Sequence, residues 1–103
     1  MLFSACTDET CAAMEKTNCS TILLCGIEAH VCVLQSALDL IERGFTVFVA
    51  QDAIASRQES NRKIGWERMM RAGALPTSTE SAIFELLREA GTPDFRALLP
   101  LIK

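Results

Sequence analysis

The residue types with the clearest chemical potential lie in one short segment, Gly26-Ile-Glu-Ala-His-Val-Cys-Val33. Its cysteine, Cys32, follows an apolar run, Ser20–Cys25, and a glycine. The start of a helix carries unpaired N–H groups and the positive end of the dipole, so a cysteine there has a lowered pKa and is more often the reactive thiolate. The same N–H groups can stabilise the oxyanion that forms when a thiolate attacks a carbonyl. The spacing therefore predicts a nucleophile, Cys32, at the carboxyl end of a strand.

Each candidate side chain also has a purely structural interpretation. Most free cysteines are buried and unreactive, but the position of Cys32 favours the nucleophilic role. His30 could be the base of a Cys–His pair, although its closeness to Cys32 on a turn favours a histidine that lines a pocket or packs. Asp52 follows the next apolar run and could contact a substrate. A hydrogen bond from Asp52 to the Ser56 region is the stronger interpretation.

These residues need a scaffold, and the chain alternates apolar runs with helical patterns. The run Phe45–Ala50 is apolar on both faces, which is typical of a parallel strand covered by helices on two sides. A capping box at Thr77–Glu80 begins a helix, whereas residues 53–60 have the polar character of a turn. The predicted strands are 20–25, 45–50 and 74–76, and the predicted helices are 7–16, 31–43, 59–72, 77–89 and 94–99.

This order of elements predicts an α/β fold with a parallel sheet. With right-handed crossovers it forms half of a doubly wound, Rossmann-like sheet in three layers, α-β-α. A sheet of about three strands is thin, and its open edge can pair with another strand. We therefore interpret residues 1–103 as one partial domain that associates with a further copy or with strands absent from this chain.

Composition excludes several classes of protein. The chain has 103 residues, 50% of them hydrophobic, a net charge of -3 and a mean hydropathy of +0.22, which argues against disorder. Without a basic face, nucleic-acid binding is not expected, and the apolar runs are too short to span a membrane. No signal-peptide pattern is visible. Five cysteines without a CxxC pair disfavour a disulfide framework, a zinc site or a thiol redox protein. We expect no cofactor or metal, and a reducing compartment: the cytoplasm, a mitochondrion or another intracellular site.

The motif GIEAHVCV, followed by LxxALDLxxRG and a strand, resembles the signature of the isochorismatase-like (cysteine hydrolase) superfamily. The similarity is closest to the isochorismatase domain-containing proteins and covers nearly every residue in the same order. The other matching segments are Asp52–Arg57, Glu67–Met69, Gly73-Ala74, Thr77–Ser81 and Phe95–Lys103.

The resemblance implies a six-stranded parallel sheet and a catalytic triad of Asp, Lys and Cys, in which Cys32 is the cysteine. It also implies a cis peptide bond before Glu28, so that the N–H groups of Glu28 and Cys32 form an oxyanion hole, with the Glu28 side chain near the pocket. The implied substrates are small molecules with an amide C–N or vinyl-ether C–O bond, and family members usually associate into homo-oligomers.

No position in this sequence matches the triad Asp or Lys, so the resemblance is to the C-terminal half of the family. Catalytic groups act as a unit, and we therefore expect the chain alone to be inactive or nearly so. The alternative is a catalytically silent, truncated isoform or fragment that acts through protein–protein association, including pairing with an N-terminal half.

Overall fold

A parallel sheet of three strands forms the centre of the molecule. The computed structural model describes residues 3–88 and 91–102. Its strands are β1 (Thr21–Ile27), β2 (Thr46–Ala55) and β3 (Leu75–Thr77), in the spatial order β1-β2-β3. Both pairings are parallel. The α/β class and the parallel sheet predicted from the sequence are confirmed.

The connections between the strands are helical. The helices are α1 (Asp8–Glu15), α2 (Leu34–Glu42), α3 (Glu59–Arg71), α4 (Thr79–Leu87) and α5 (Pro93–Ile102), and a single π-helical turn, Ala29–Val33, leads into α2. In the described ranges, 3–88 and 91–102, no helix is long and apolar enough to cross a membrane.

Strand β2 is longer than predicted. Its first residues pair in register with β1 as far as Leu24 with Val49, and pairing resumes with Gly26 opposite Ile54 and Ile27 opposite Ala55. The intervening residues of β2 form a bulge, so the strand continues where the polar residues suggested a turn. Residues 53–55 are therefore strand, and that part of the predicted turn 53–60 is wrong.

The N-cap of helix α4 also lies one residue later than predicted, because the predicted capping box begins at Thr77. Ser78 is the N-cap, and its hydroxyl accepts a hydrogen bond from the N–H of Ser81 at 3.1 Å. Thr77 is the last residue of β3 instead. The predicted end of this helix, Glu89, lies outside the described residues.

The two faces of the sheet are covered unequally. On one face, Ile22, Leu24, Val47 and Val49 pack in a cluster with side chains of α1, α2 and α3; we call this the packed face. The residues between them point the other way, to what we call the open face, where α4 leaves a cavity of about 350 Å³ over the sheet. The cavity is lined by Thr21, Leu23, Phe48, Thr77, Ala82, Glu85 and Leu86.

Candidate functional site

Cys32 lies on the segment that follows the carboxyl end of β1. It belongs to the π-helical turn rather than to the first turn of an α-helix, and it is half-buried. The carbonyl of Glu28 accepts hydrogen bonds from the N–H groups of Val31 at 3.2 Å and Val33 at 3.1 Å. Such wider turns are frequent at functional sites. Apolar periodicity could not reveal this turn, because residues 31–43 match helical spacing in either case.

The chain enters the turn through two unusual backbone positions. Gly26 has a φ of +116°, a conformation that favours glycine. The peptide bond between Ile27 and Glu28 is cis, at the bond that the family resemblance singles out.

Ser56 holds the first residues of this turn. Its Oγ accepts a hydrogen bond from the N–H of Ala29 at 3.1 Å and lies 2.8 Å from Nδ1 of His30. The extension of β2 explains the contact, because Ala55 pairs with Ile27 and places Ser56 beside the residues that follow β1. Sequence reasoning named Ser56 only as a partner for Asp52.

A pocket of about 210 Å³ lies beside these residues. Its wall combines a carboxylate, an imidazole and a guanidinium, with Oε2 of Glu28 3.8 Å from Nδ1 of His30 and 3.9 Å from Nε of Arg57. His30 lies in the wall of this pocket, and a role for it towards a substrate stays a prediction. The lining residues are Glu28, His30, Arg57, Gln58 and Asn61.

Ser56, His30 and Glu28 do not form a serine-hydrolase relay. Both the Ser56 hydroxyl and the Glu28 carboxylate lie nearest to the same ring nitrogen of His30, Nδ1. A relay needs the nucleophile and the acid on opposite ring nitrogens. The cluster can orient the backbone and offer polar groups to a ligand, which leaves the thiol of Cys32 as the candidate nucleophile.

Helix α3 supports the same turn from its other side. A Cβ atom added to Gly65 would lie 2.7 Å from the carbonyl oxygen of Ala29 and 2.8 Å from Cα of His30. A side chain at position 65 would therefore push α3 away from the turn. Sequence reasoning missed Gly65, and the available signal was a glycine within a helical segment, which often marks close packing.

Asp52 serves a different part of the fold from the one predicted. Its Oδ1 accepts hydrogen bonds from the N–H of Thr79 at 2.8 Å and from its hydroxyl at 3.1 Å, at the start of α4. The backbone hydrogen bond from Thr79 lowers the pKa of Asp52. The predicted hydrogen bond to the Ser56 region is wrong, because the bulge in β2 turns Asp52 towards α4. A substrate contact by Asp52 stays a prediction.

The remaining cysteines are divided between the core and the surface. Cys6 and Cys11 are buried, and their Sγ atoms lie 2.8 Å apart. Burial is the main cause that raises the pKa of Cys6 to about 11, and the hydrogen bond with Cys11 is the second cause. Cys19 is exposed, as is Cys25, which lies on the open side of β1 rather than in the core. Within the described part of the chain, no three metal-ligating side chains converge.

Comparison with known proteins identifies relatives of this chain. The family model for the isochorismatase domain matches residues 1–81. The secreted isochorismatase effector Isc1 of Phytophthora sojae is 51% identical over 83 residues, which are 81% of this chain and 40% of that protein. The chain therefore spans less than half the length of this curated relative.

Two solved structures share the fold and extend beyond it. The MAR1 ribonuclease of Caenorhabditis elegans superposes with a TM-score of 0.89 at 40% identity, over 98% of this chain and 52% of that one. The YcaC gene product of Escherichia coli, an octameric hydrolase of unknown specificity, superposes with a TM-score of 0.77 at 29% identity, over 93% and 53%. In each case this chain matches about half of the related protein.

Proposed function

This chain belongs to the isochorismatase family, and from that premise we propose that it supplies the nucleophile, Cys32, to a hydrolase site for small molecules. The proposed substrates carry an amide C–N or a vinyl-ether C–O bond. The observation that carries the proposal is the position of Cys32. Its thiol is half-buried at the carboxyl end of β1, on a turn that Ser56 and Gly65 support. Ligands of open α/β sheets bind at this end of the strands.

For an amide, the proposed reaction proceeds through a thioester. The Cys32 thiolate attacks the carbonyl carbon, and the carbonyl electron pair moves to oxygen, where the N–H groups of Glu28 and Cys32 stabilise the negative charge. The C–N bond then breaks, and the nitrogen leaves with a proton. Water hydrolyses the thioester in a second step, which releases the carboxylic acid and restores the thiol.

The proton transfers in this scheme need groups beyond those we find. The family resemblance assigns them to an Asp and a Lys, and no residue of this sequence matches either position. This chain covers only 52% and 53% of the two related structures, which are therefore about twice as long as this chain. We therefore propose that full activity requires a polypeptide that supplies these groups, and that the chain alone has almost none.

The second candidate is a chain without catalysis that acts by protein–protein association. The open face favours it, because Leu23 is 48% exposed, Ile27 69% and Leu86 82%. Leu23 and Leu86 line the same cavity, and exposed apolar patches mark interaction sites. An octameric relative is consistent with association into oligomers.

One relative, from Caenorhabditis elegans, is named a ribonuclease, but we do not propose RNA cleavage for this chain. A net charge of -3 provides no general attraction for phosphates. An RNA-cleavage assay of this chain should show no activity above that of the Cys32→Ala variant.

The test of the proposal is hydrolysis of small amides by the chain, alone and co-expressed with the N-terminal half of a related protein. We expect turnover with the added half, and Cys32→Ala should reduce it by about 10³-fold or more. Cys25→Ala, at an exposed cysteine on the open side of β1, is the matched control and should retain activity. Turnover that survives Cys32→Ala would exclude the cysteine mechanism. Failure of every complemented sample to turn over substrate would favour the silent alternative.

A further inference from the structure

We propose that Ser56 is a positioning residue for Cys32, an inference that rests on the proposed function. The Ser56 hydroxyl lies at the end of β2 and contacts two consecutive residues of the π-helical turn, Ala29 and His30. Cys32 follows on the same turn. By holding the start of the turn, Ser56 determines the direction in which the thiol and its N–H group point.

A hydroxyl suits this place because one group satisfies both partners. Ala29 is fully buried at 0% exposure, so its N–H needs an acceptor from the protein. The Ser56 oxygen accepts that hydrogen bond, and the same hydroxyl forms a second hydrogen bond with Nδ1 of His30. An alanine at position 56 would leave the buried N–H of Ala29 without this acceptor and would release the imidazole.

The other contacts of the turn do not replace Ser56. Gly65 lets the backbone of α3 lie close to Ala29 and His30, and it has no side chain that could accept a hydrogen bond from the turn. The hydrogen bond from the N–H of Arg57 to the Glu28 carboxylate is longer, at 3.4 Å, and exposed. Ser56 is thus the side chain that joins β2 to the backbone just before the nucleophile.

The test follows alkylation of individual cysteines in the folded full chain. Iodoacetamide labelling at pH 7.5, resolved by mass spectrometry, gives separate rates for Cys32 and for the exposed Cys19 and Cys25. We expect Ser56→Ala to slow Cys32 by about threefold or more and to leave the other two rates unchanged. Ser56→Thr, which retains the hydroxyl, should give Cys32 the same alkylation rate as in the unaltered chain. Ser60→Ala, at an exposed serine of α3, is the control and should have no effect.

The outcomes separate this inference from the proposed function. If Cys32 of the unaltered chain is alkylated at a measurable rate that Ser56→Ala does not change, the positioning role is wrong and the proposed function stands. If Ser56→Ala changes all three cysteines together, or Ser56→Thr does not restore Cys32, the residue has a general structural role and the inference is overturned. If Cys32 of the unaltered chain is not alkylated at all under conditions that label Cys25, its thiol is inaccessible, and both the proposed function and the inference are contradicted.

Discussion

The packed and open faces of the sheet differ in how completely the chain covers them. On the packed face, Val47, Val49 and Met69 are 1%, 0% and 0% exposed. On the open face, α4 leaves a cavity of about 350 Å³, and Leu23 remains 48% exposed. The helix that packs against the turn of Cys32, α3, belongs to the packed face. The difference teaches that the helix supporting the turn of Cys32 lies on the well-packed side of the sheet, whereas the open face keeps apolar side chains exposed.

The largest expected effect tests whether stability resides on the packed face. Met69→Ala removes a fully buried side chain and leaves a cavity, so it should lower the free energy of unfolding by about 2–5 kcal/mol. Urea denaturation measures this change. Leu23→Ala, on the open face, is the matched comparison and should cost less than half as much, because this residue is already 48% exposed. Equal losses would show that the two faces contribute equally.

A second change sharpens the link between the packed face and the site. Gly65→Ala in a helix would ordinarily stabilise by up to about 1 kcal/mol. Here the added Cβ would collide with the backbone of Ala29 and His30, so we expect a loss of about 1–3 kcal/mol and altered labelling of Cys32. Thermal unfolding and cysteine alkylation provide the two measurements. Lys63→Ala, at an exposed position of the same helix, is the control. A more stable Gly65→Ala would contradict the close contact.

The smallest expected effect on stability concerns the hydrogen bonds by which Asp52 of β2 holds the start of α4. The hydrogen bond from the N–H of Thr79 lowers the pKa of Asp52 below its ordinary value of 3.8. The contribution of Asp52 to stability is therefore fully present above pH 3.8 and is lost as the pH falls through the lowered pKa.

Melting temperatures across pH 7 to pH 2 test this expectation. Asp52→Ala should lower the melting temperature at pH 7, and the difference from the unaltered chain should shrink in acid. A difference that is constant with pH would show that the charge of Asp52 has no role in holding α4.

The local pattern of the sequence was sufficient for the order of the elements. Apolar runs and helical spacing predicted the strand before Gly26, the strand after Gly44 and the helix ending near Ala72, since each depends on residues within one short segment. The placement of Cys32 at the end of a strand followed from the same local signals. The Thr7–Lys16 prediction also succeeded, because Thr7 caps α1 through its own side chain.

The details that build the site depend on contacts between distant parts of the chain. Ser56 reaches Ala29 across 27 positions, and Asp52 reaches Thr79 across another 27. Asp52 lies among the residues of β2 where its pairing with β1 shifts, and Ser56 directly follows the end of that strand. The predicted partner of Asp52 was therefore wrong, and the roles of Ser56 and Gly65 were invisible.

The sequence by itself thus determined the α/β class, the alternation of strands and helices, and a cysteine at the end of β1, because nearest-neighbour chemistry encodes these features. Only the tertiary structure decided which face is packed, which side chains hold the turn of Cys32 and where Asp52 binds. These features are set when strand pairing and helix packing bring residues together that are far apart in the chain.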